Sequence, residues 1–328
     1  MATTTKSNSN LTNAKKAKND EFYTQLTDIE KEMRYYKPFF KDKVVYCNCD
    51  DARESNFFKY FSMNFEHLGL KKLISTGYKE NGKGVVLVYE GDKNGNRIVD
   101  DSEIVVSELE GNGDFRSAEC IEFLKQADVV VTNPPFSLFR EYVKQLMEFG
   151  KKFLIIGNKN ALTYKEIFSY IKTNELWLGI TNPDEYRLPN GNITQSVKGL
   201  CRWFTNLENK KRNEEIDLYR KYNETDYSKY ENYDAIEVSK VADIPMDYDG
   251  AMGVPITFLD KYCPTQFEIV GLGIANLGLA CGVQPYKPEH REYRKNIQKR
   301  GVVDGDLYMV ENGVVKVPYA RILIKIRK

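Results

Sequence analysis

Histidine is nearly missing from this chain: His67 and His290 are the two among 328 residues. A mechanism built on a histidine base has little to draw on. Long apolar runs are also missing, so nothing here reads as a bilayer-spanning helix. Residues 1–19 are polar and lysine-bearing and lack the apolar centre of a signal peptide. They read as a disordered basic tail on a cytoplasmic protein. Zinc-type cysteine spacing is absent. The six cysteines stand at 47, 49, 120, 201, 263 and 281, and Cys47 and Cys49 are one residue apart with no partner pair elsewhere. Reduced, mostly buried thiols are expected, and no metal. A large charge surplus is absent too, since the net charge is +1. The distribution is less even than the sum. From Lys287 to Lys328 there are eleven Lys/Arg against five Asp/Glu. The cluster Arg291, Arg294, Lys295, Lys299 and Arg300 is dense enough to meet phosphates, and equally reads as a solvated face.

What is present is a short turn with an unusual set of groups, Asn133-Pro134-Pro135-Phe136. An apolar run at 127–132 reads as a buried strand before it. Proline lacks the N–H that a strand ladder needs, so the chain must turn there. An amide, a proline carbonyl and an aromatic ring are then presented together. That set suits methylation of an exocyclic amine. The N6 lone pair of adenine is delocalised into the ring and is a poor nucleophile. Two acceptors, the Asn133 side-chain oxygen and the Pro134 carbonyl, favour a tetrahedral nitrogen whose lone pair points at a methyl group. Phe136 can stack on the base, and Pro135 stiffens the turn. The amine sheds its proton readily once methylated, so the scarcity of histidine is no obstacle. By itself Asn-Pro-Pro is commonly a turn and nothing more. Residues 137–149 read as a helix opening on a Ser137 cap, with Leu138, Tyr142, Leu146 and Phe149 near helical spacing.

Elsewhere the pattern alternates. Helix is expected through residues 21–36, strand at 43–46, helix at 55–68 and strand at 72–75. A β-hairpin insertion is expected at about 81–109, with its turn at Asn94-Gly95. Helix at 119–125, strand at 153–156, helix at 165–172 and strand at 175–179 follow. This is the signature of an α/β doubly wound, Rossmann-like sheet. Its ligands bind beyond the carboxyl ends of the strands, where residues 48–51 and 133–136 would both lie. Residues 182–199 read as a long loop and 200–207 as a strand. The catalytic domain is expected over 20–207, and a mixed α+β target-recognition region over 208–328, ending in a strand at 320–327.

These pieces resemble the adenine-specific DNA methyltransferases of the EcoRI modification-methylase type. The resemblance rests on Asn19-Asp20-Glu21-Phe22-Tyr23-Thr24-Gln25-Leu26, on Val45-Tyr46-Cys47-Asn48-Cys49-Asp50-Asp51, on the 133–136 turn, and on residues 253–262. It implies S-adenosylmethionine as methyl donor, N6 of adenine in duplex DNA as acceptor, and base flipping. A restriction–modification system is the expected setting, with room for a cognate endonuclease that acts on the same site without being bound, and a monomer is expected. Phe22, Tyr23 and Thr24 match the segment that packs near the donor's methionine part. Asp114 matches the acidic position that accepts from the donor's adenine amine. Where Gly-x-Gly normally follows the first strand of a methyltransferase this chain has Cys47-Asn48-Cys49-Asp50, and Asp50 or Asp51 is left to hold the donor's ammonium. Thr76 stands where a ribose-binding acid is expected, with Glu80 a weak substitute. Trp203 and Phe204 are candidates for a second aromatic against the flipped base, or are core residues.

Two features invite overreading. Asp92-Lys93-Asn94-Gly95-Asn96 with Glu103 partly mimics a calcium loop, but its glycine is one position early and a hairpin turn is expected. Gly271-Leu272-Gly273 follows strand-then-glycine logic for dinucleotides, but Asn276 stands where glycine is needed and no clear helix is read after it. Rival functions are an amino-methyltransferase acting on RNA or on protein glutamine, and a DNA-binding protein that has lost catalysis.

Overall fold

The computed structural model describes residues 23–49, 51–184, 186–187, 193–194 and 199–328. The basic tail, Phe22, Asp50 and most of 185–198 lie outside the described residues. The chain divides into two compact units. One comprises residues 1–161 and 177–209, and the other 162–176 and 210–328.

The first unit opens with β1 (Tyr23–Thr24) and helix α1 (Leu26–Met33), where a helix from residue 21 was expected. Then come β2 (Val44–Cys47), α2 (Asn56–Met63), a short turn of helix at Phe65–Leu68, β3 (Lys72–Gly77), β4 (Val85–Tyr89) and β5 (Ile104–Glu108). Next are α3 (Ala118–Gln126), β6 (Val129–Thr132), α4 (Phe139–Glu148), β7 (Lys152–Asn158), β8 (Trp177–Leu178), β9 (Tyr186–Arg187), β10 (Ile193–Thr194) and β11 (Cys201–Thr205). Eight of these strands form one sheet in the order β5-β4-β3-β2-β6-β7-β11-β8. Its centre, β3-β2-β6-β7, is parallel. Both flanks are antiparallel, so the expected α/β sheet is a mixed one with a parallel core. The reason is local: β3, β4 and β5 follow one another by direct reversals, and no helix crosses over between them. The 81–109 hairpin is therefore the edge of the main sheet.

Buried residues alternate between the two faces. Val45, Leu73, Val129, Val131, Leu154, Ile156 and Trp203 share one core with Ile29 and Met33 of α1 and Phe57 and Phe61 of α2. The opposite face carries Tyr46, whose ring lies 6.5 Å from Phe123 of α3, and Phe204, 5.0 Å from Phe139 of α4. Central parallel strands covered on both faces read as unbroken apolar runs, as β2 and β6 do.

Three further expectations shift. Ser137 does not cap the helix after the turn. Phe136–Leu138 form a 3-10 turn, and α4 starts at Phe139 with no side-chain cap. The expected 182–199 loop contains β9 and β10, which add to β1 as a small antiparallel sheet. The helix expected after β7, α5 (Lys165–Lys172), groups with the second unit.

In the second unit, β12 (Ala235–Glu237), β13 (Ala251–Pro255), β14 (Phe267–Gly273) and β17 (Arg321–Ile326) form a four-stranded sheet, ordered β12-β13-β17-β14. A hairpin of β15 (Met309–Glu311) and β16 (Val314–Lys316) stands apart from it in pairing. A six-residue helix, Ala275–Ala280, does follow Gly271-Leu272-Gly273, against expectation. Those glycines serve packing: a side chain at 271 would strike Cys281, and one at 273 would strike Leu307. The strand is also antiparallel to its neighbour, so no βαβ unit is present there. The calcium-like loop spends its acids on itself. Asp92 accepts from the backbone N–H groups of Gly95 and Arg97, and Glu103 from that of Lys93.

Candidate active site

β2 and β6 are parallel neighbours, and the chain leaves them in opposite directions across the sheet, toward β3 from one and β7 from the other. That is a topological switch point, where the loops beyond the carboxyl ends diverge and open a crevice. The loop after β2 begins with Asn48 and Cys49, and the loop after β6 is the 133–136 turn. The two predicted motifs thus flank one crevice.

The elements on either side of the turn are bonded to Asn48. The Thr132 hydroxyl, at the end of β6, donates to the Asn48 carbonyl oxygen. The Tyr142 hydroxyl, on α4, donates to Asn48 Oδ1. Asn48 is 3% exposed, and Thr132 and Tyr142 are fully buried. In the sequence Thr132 reads as a strand residue and Tyr142 as part of a helix face, with no polar role apparent for either. The available signal was a tyrosine and a threonine at core-facing positions, since buried hydroxyls require partners.

In the turn itself Pro134 is buried, and Asn133, Pro135 and Phe136 are half-buried. The Asn133 side-chain oxygen is itself buried. The Pro135 carbonyl accepts from Leu138 N–H at 3.0 Å, which closes the 3-10 turn. Phe136 packs partly against the core that holds Trp203 and Phe57.

After β2 the missing glycines leave a mark. Cys49 has φ +70°, the left-handed conformation that glycine adopts without strain. Cys47 ends the strand, buried. The Asp51 carboxylate accepts from Arg53 N–H at 2.9 Å and shapes the turn into α2, which Ser55 caps. Asn56 donates to the Thr24 carbonyl oxygen at 2.7 Å, so β1 lies beside this loop. The Thr24 hydroxyl is buried and has no hydrogen-bond partner among the described residues. Of Tyr23 the backbone is described, in β1.

Asp114 reaches the same rim. A side chain at Gly113 (φ +81°) would strike the Gly77 carbonyl oxygen, so this loop lies directly on the end of β3. Phe115 sits edge-on to Tyr142, with ring centroids 5.0 Å apart, and its carbonyl accepts from Gln145 of α4 at 3.2 Å. Arg116 donates to both oxygens of Asp114, at 2.9 and 2.6 Å, and holds that carboxyl below the usual carboxylate range. Thr76 is buried inside β3, with its hydroxyl 2.7 Å from that of Tyr46. Glu80 is exposed in the following turn.

A family model described as adenine-specific methyltransferase EcoRI matches residues 10–327. The chain belongs to this family of adenine-specific methyltransferases. It is 49% identical to the Type II methyltransferase M.EcoRI of Escherichia coli, over 96% of this chain and 95% of that protein. It is 42% identical to Type II methyltransferases of Mycoplasma genitalium, M.MgeORF184P, and of Mycoplasma pneumoniae, M.MpnI, each over 78% of this chain. No solved structure matches the chain.

Two remaining sets of candidates in this methyltransferase are placed by the structure. Trp203 and Phe204 are 0% exposed in β11, Trp203 against Phe57 and Phe204 against Phe139. A base stacks only on an open ring face, and neither ring offers one, so both are core residues here. The basic cluster lies on a helix at Pro288–Glu292, a π-helical turn at Tyr293–Ile297 and the segment after them. Arg291 is paired with Asp304 at 2.6 Å, and Arg294 donates to the Gly301 carbonyl at 2.8 Å. Lys295, Lys299 and Arg300 are exposed. Among the described residues no helix is long and apolar enough to cross a membrane, and no cluster of potential metal ligands occurs.

Proposed function

We propose that the 133–136 turn receives the N6 amine of an adenine flipped out of duplex DNA. S-adenosylmethionine is then held by the 47–51 loop, β1 and the Asp114 loop. The observation that carries this reading is the bonding of Thr132 and Tyr142, from the strand before the turn and the helix after it, to Asn48 across the switch point of the sheet. The orphaned Thr24 hydroxyl supports it, because a buried polar atom without a partner fits a bound polar group such as the amino-acid end of the donor. Asp50 or Asp51 takes the donor's ammonium, and Asp114 its adenine amine.

The donor supplies a sulfonium-bound methyl group. The side chains do the rest. Asn133 Oδ1 and the Pro134 carbonyl accept the two N6 hydrogens and draw the nitrogen toward a tetrahedral form, with its lone pair directed at the methyl. Phe136 covers one face of the base. The methylated nitrogen carries a positive charge and loses a proton to solvent, without a dedicated base. Target recognition is assigned to residues 208–328, with Lys295, Lys299 and Arg300 on phosphates. The likeness to Type II methyltransferases supports a modification enzyme of a restriction–modification system.

The test offers labelled donor with duplex DNA, RNA and protein in parallel. Label is expected in DNA alone, as N6-methyladenine. Asn133→Ala is expected to lower turnover by about 10²–10³ or more, the usual cost of removing one preorganised hydrogen-bond partner, while DNA affinity is largely kept. Unchanged turnover in that variant, or label confined to RNA or protein, would refute the assignment.

A further inference from the structure

The bonds from Thr132 and Tyr142 to Asn48 stand out because core filling does not require them. Valine and phenylalanine would occupy nearly the same volumes without a hydroxyl to satisfy. Each hydroxyl instead crosses from the target side of the crevice to the donor side. One holds the Asn48 backbone and the other its side chain, so Asn48 is restrained against both sliding and rotation. Cys49, the next residue, is held at φ +70°, a conformation that persists when its surroundings over-determine it. The Tyr142 ring also meets Phe115, next to Asp114, and Gln145 one turn later bonds the Phe115 carbonyl. Helix α4 therefore grips two donor-side loops and follows the target turn through the single 3-10 turn Phe136–Leu138.

We propose that Asn48, Thr132 and Tyr142 form a buried clamp that sets the spacing between bound methyl donor and target amine. Thr132 and Tyr142 are thereby positioning residues for methyl transfer; this rests on the function proposed above. The physical need is plain. Methyl transfer is an in-line displacement with a short, directed approach, and a misplacement of about 1 Å costs about 10²-fold in rate. The two partners sit on separate loops, and a polar clamp fixes their separation more sharply than apolar contact, because hydrogen bonds are directional. Burial, followed by the nearby Cys49 thiol, pushes the Tyr142 phenol up and keeps it a donor throughout the working pH range.

The test uses the full-length protein with Thr132→Val, Thr132→Ser and Tyr142→Phe. Valine keeps the shape of threonine and suits a strand, whereas serine keeps the hydroxyl. We expect the single-turnover methylation rate to fall about 10²-fold in Thr132→Val and Tyr142→Phe, with KM for donor and affinity for DNA nearly unchanged, and to return in Thr132→Ser. A second readout is independent of turnover. S-adenosylmethionine added to the wild-type protein should slow amide exchange at Asn133, Phe136, Ser137 and Leu138, and this protection should vanish in the two clamp variants although the donor still binds. Rates in Thr132→Val and Tyr142→Phe equal to wild type would overturn the clamp alone, as would donor binding that leaves the turn amides unaffected. Absence of donor binding to the wild-type protein would overturn the functional reading and the clamp with it.

Discussion

Cys49 carries the clearest residue-level consequence of the missing Gly-x-Gly after β2. Its backbone takes the left-handed turn that Gly-x-Gly would make without strain, although its side chain disfavours that turn by about 1–2 kcal/mol. Glycine at this position relieves the strain but adds freedom to the unfolded chain, which offsets part of the gain. Cys49→Gly is expected to raise stability by about 0.5–1 kcal/mol. A β-branched residue tolerates positive φ less well, so Cys49→Val should lower stability. Equilibrium urea unfolding checks the order glycine, cysteine, valine; any other order would show that the thiol's contacts outweigh the backbone.

At the scale of elements, a buried polar junction ties together the sheet of the second unit. Glu237, at the end of β12, accepts from Arg321 at the start of β17, at 2.6 Å and 3.0 Å. The Tyr230 hydroxyl donates to the same carboxylate. Glycine at 253, on the strand between them, makes room for the Tyr230 hydroxyl. Glu237 and Arg321 are 8% and 14% exposed, so the pair is largely shielded from water. Removing one member leaves the other buried and uncompensated, at a cost of about 3 kcal/mol. Glu237→Ala should therefore unfold this unit at lower denaturant, and amide exchange in β12 and β17 should accelerate before that of β2 and β6. Apolar replacement of both partners, Glu237→Leu with Arg321→Met, should recover much of the loss.

For the molecule as a whole, a net charge of +1 conceals a basic segment. Between Tyr293 and Val303 there are four Lys/Arg and no acid. The structure separates their roles. Arg291 and Arg294 are committed to Asp304 and Gly301, while Lys295, Lys299 and Arg300 extend into solvent. Each phosphate neutralised contributes about 0.9 to the slope of log affinity against log salt. Replacing Lys295, Lys299 and Arg300 together with alanine should shrink that slope by about 2 to 3. Arg291→Ala should change it less and instead loosen the segment that Asp304 pins. Titrations of a fluorescent duplex at several salt concentrations decide the matter; an unchanged slope in the triple variant would place the DNA contacts elsewhere.

The sequence by itself determined which segments are strands at the centre of the sheet and where the 133–136 turn falls. Unbroken apolar runs and paired prolines are local signals, and β2, β6 and the 133–136 turn follow from them. It also brought the turn and the 48–51 loop to one sheet edge, because the direction of parallel strands sets which ends face a ligand. Only tertiary structure decided the antiparallel flanks, the grouping of α5 with the second unit, and the burial of Trp203 and Phe204. Those depend on which strands become neighbours, and an aromatic residue in a strand looks the same in sequence whether it lines a pocket or fills a core. The contacts of Asn48 with Thr132 and Tyr142 belong to the same class. They join residues more than eighty positions apart, and no local pattern encodes a hydrogen bond that exists only once two loops are folded against each other.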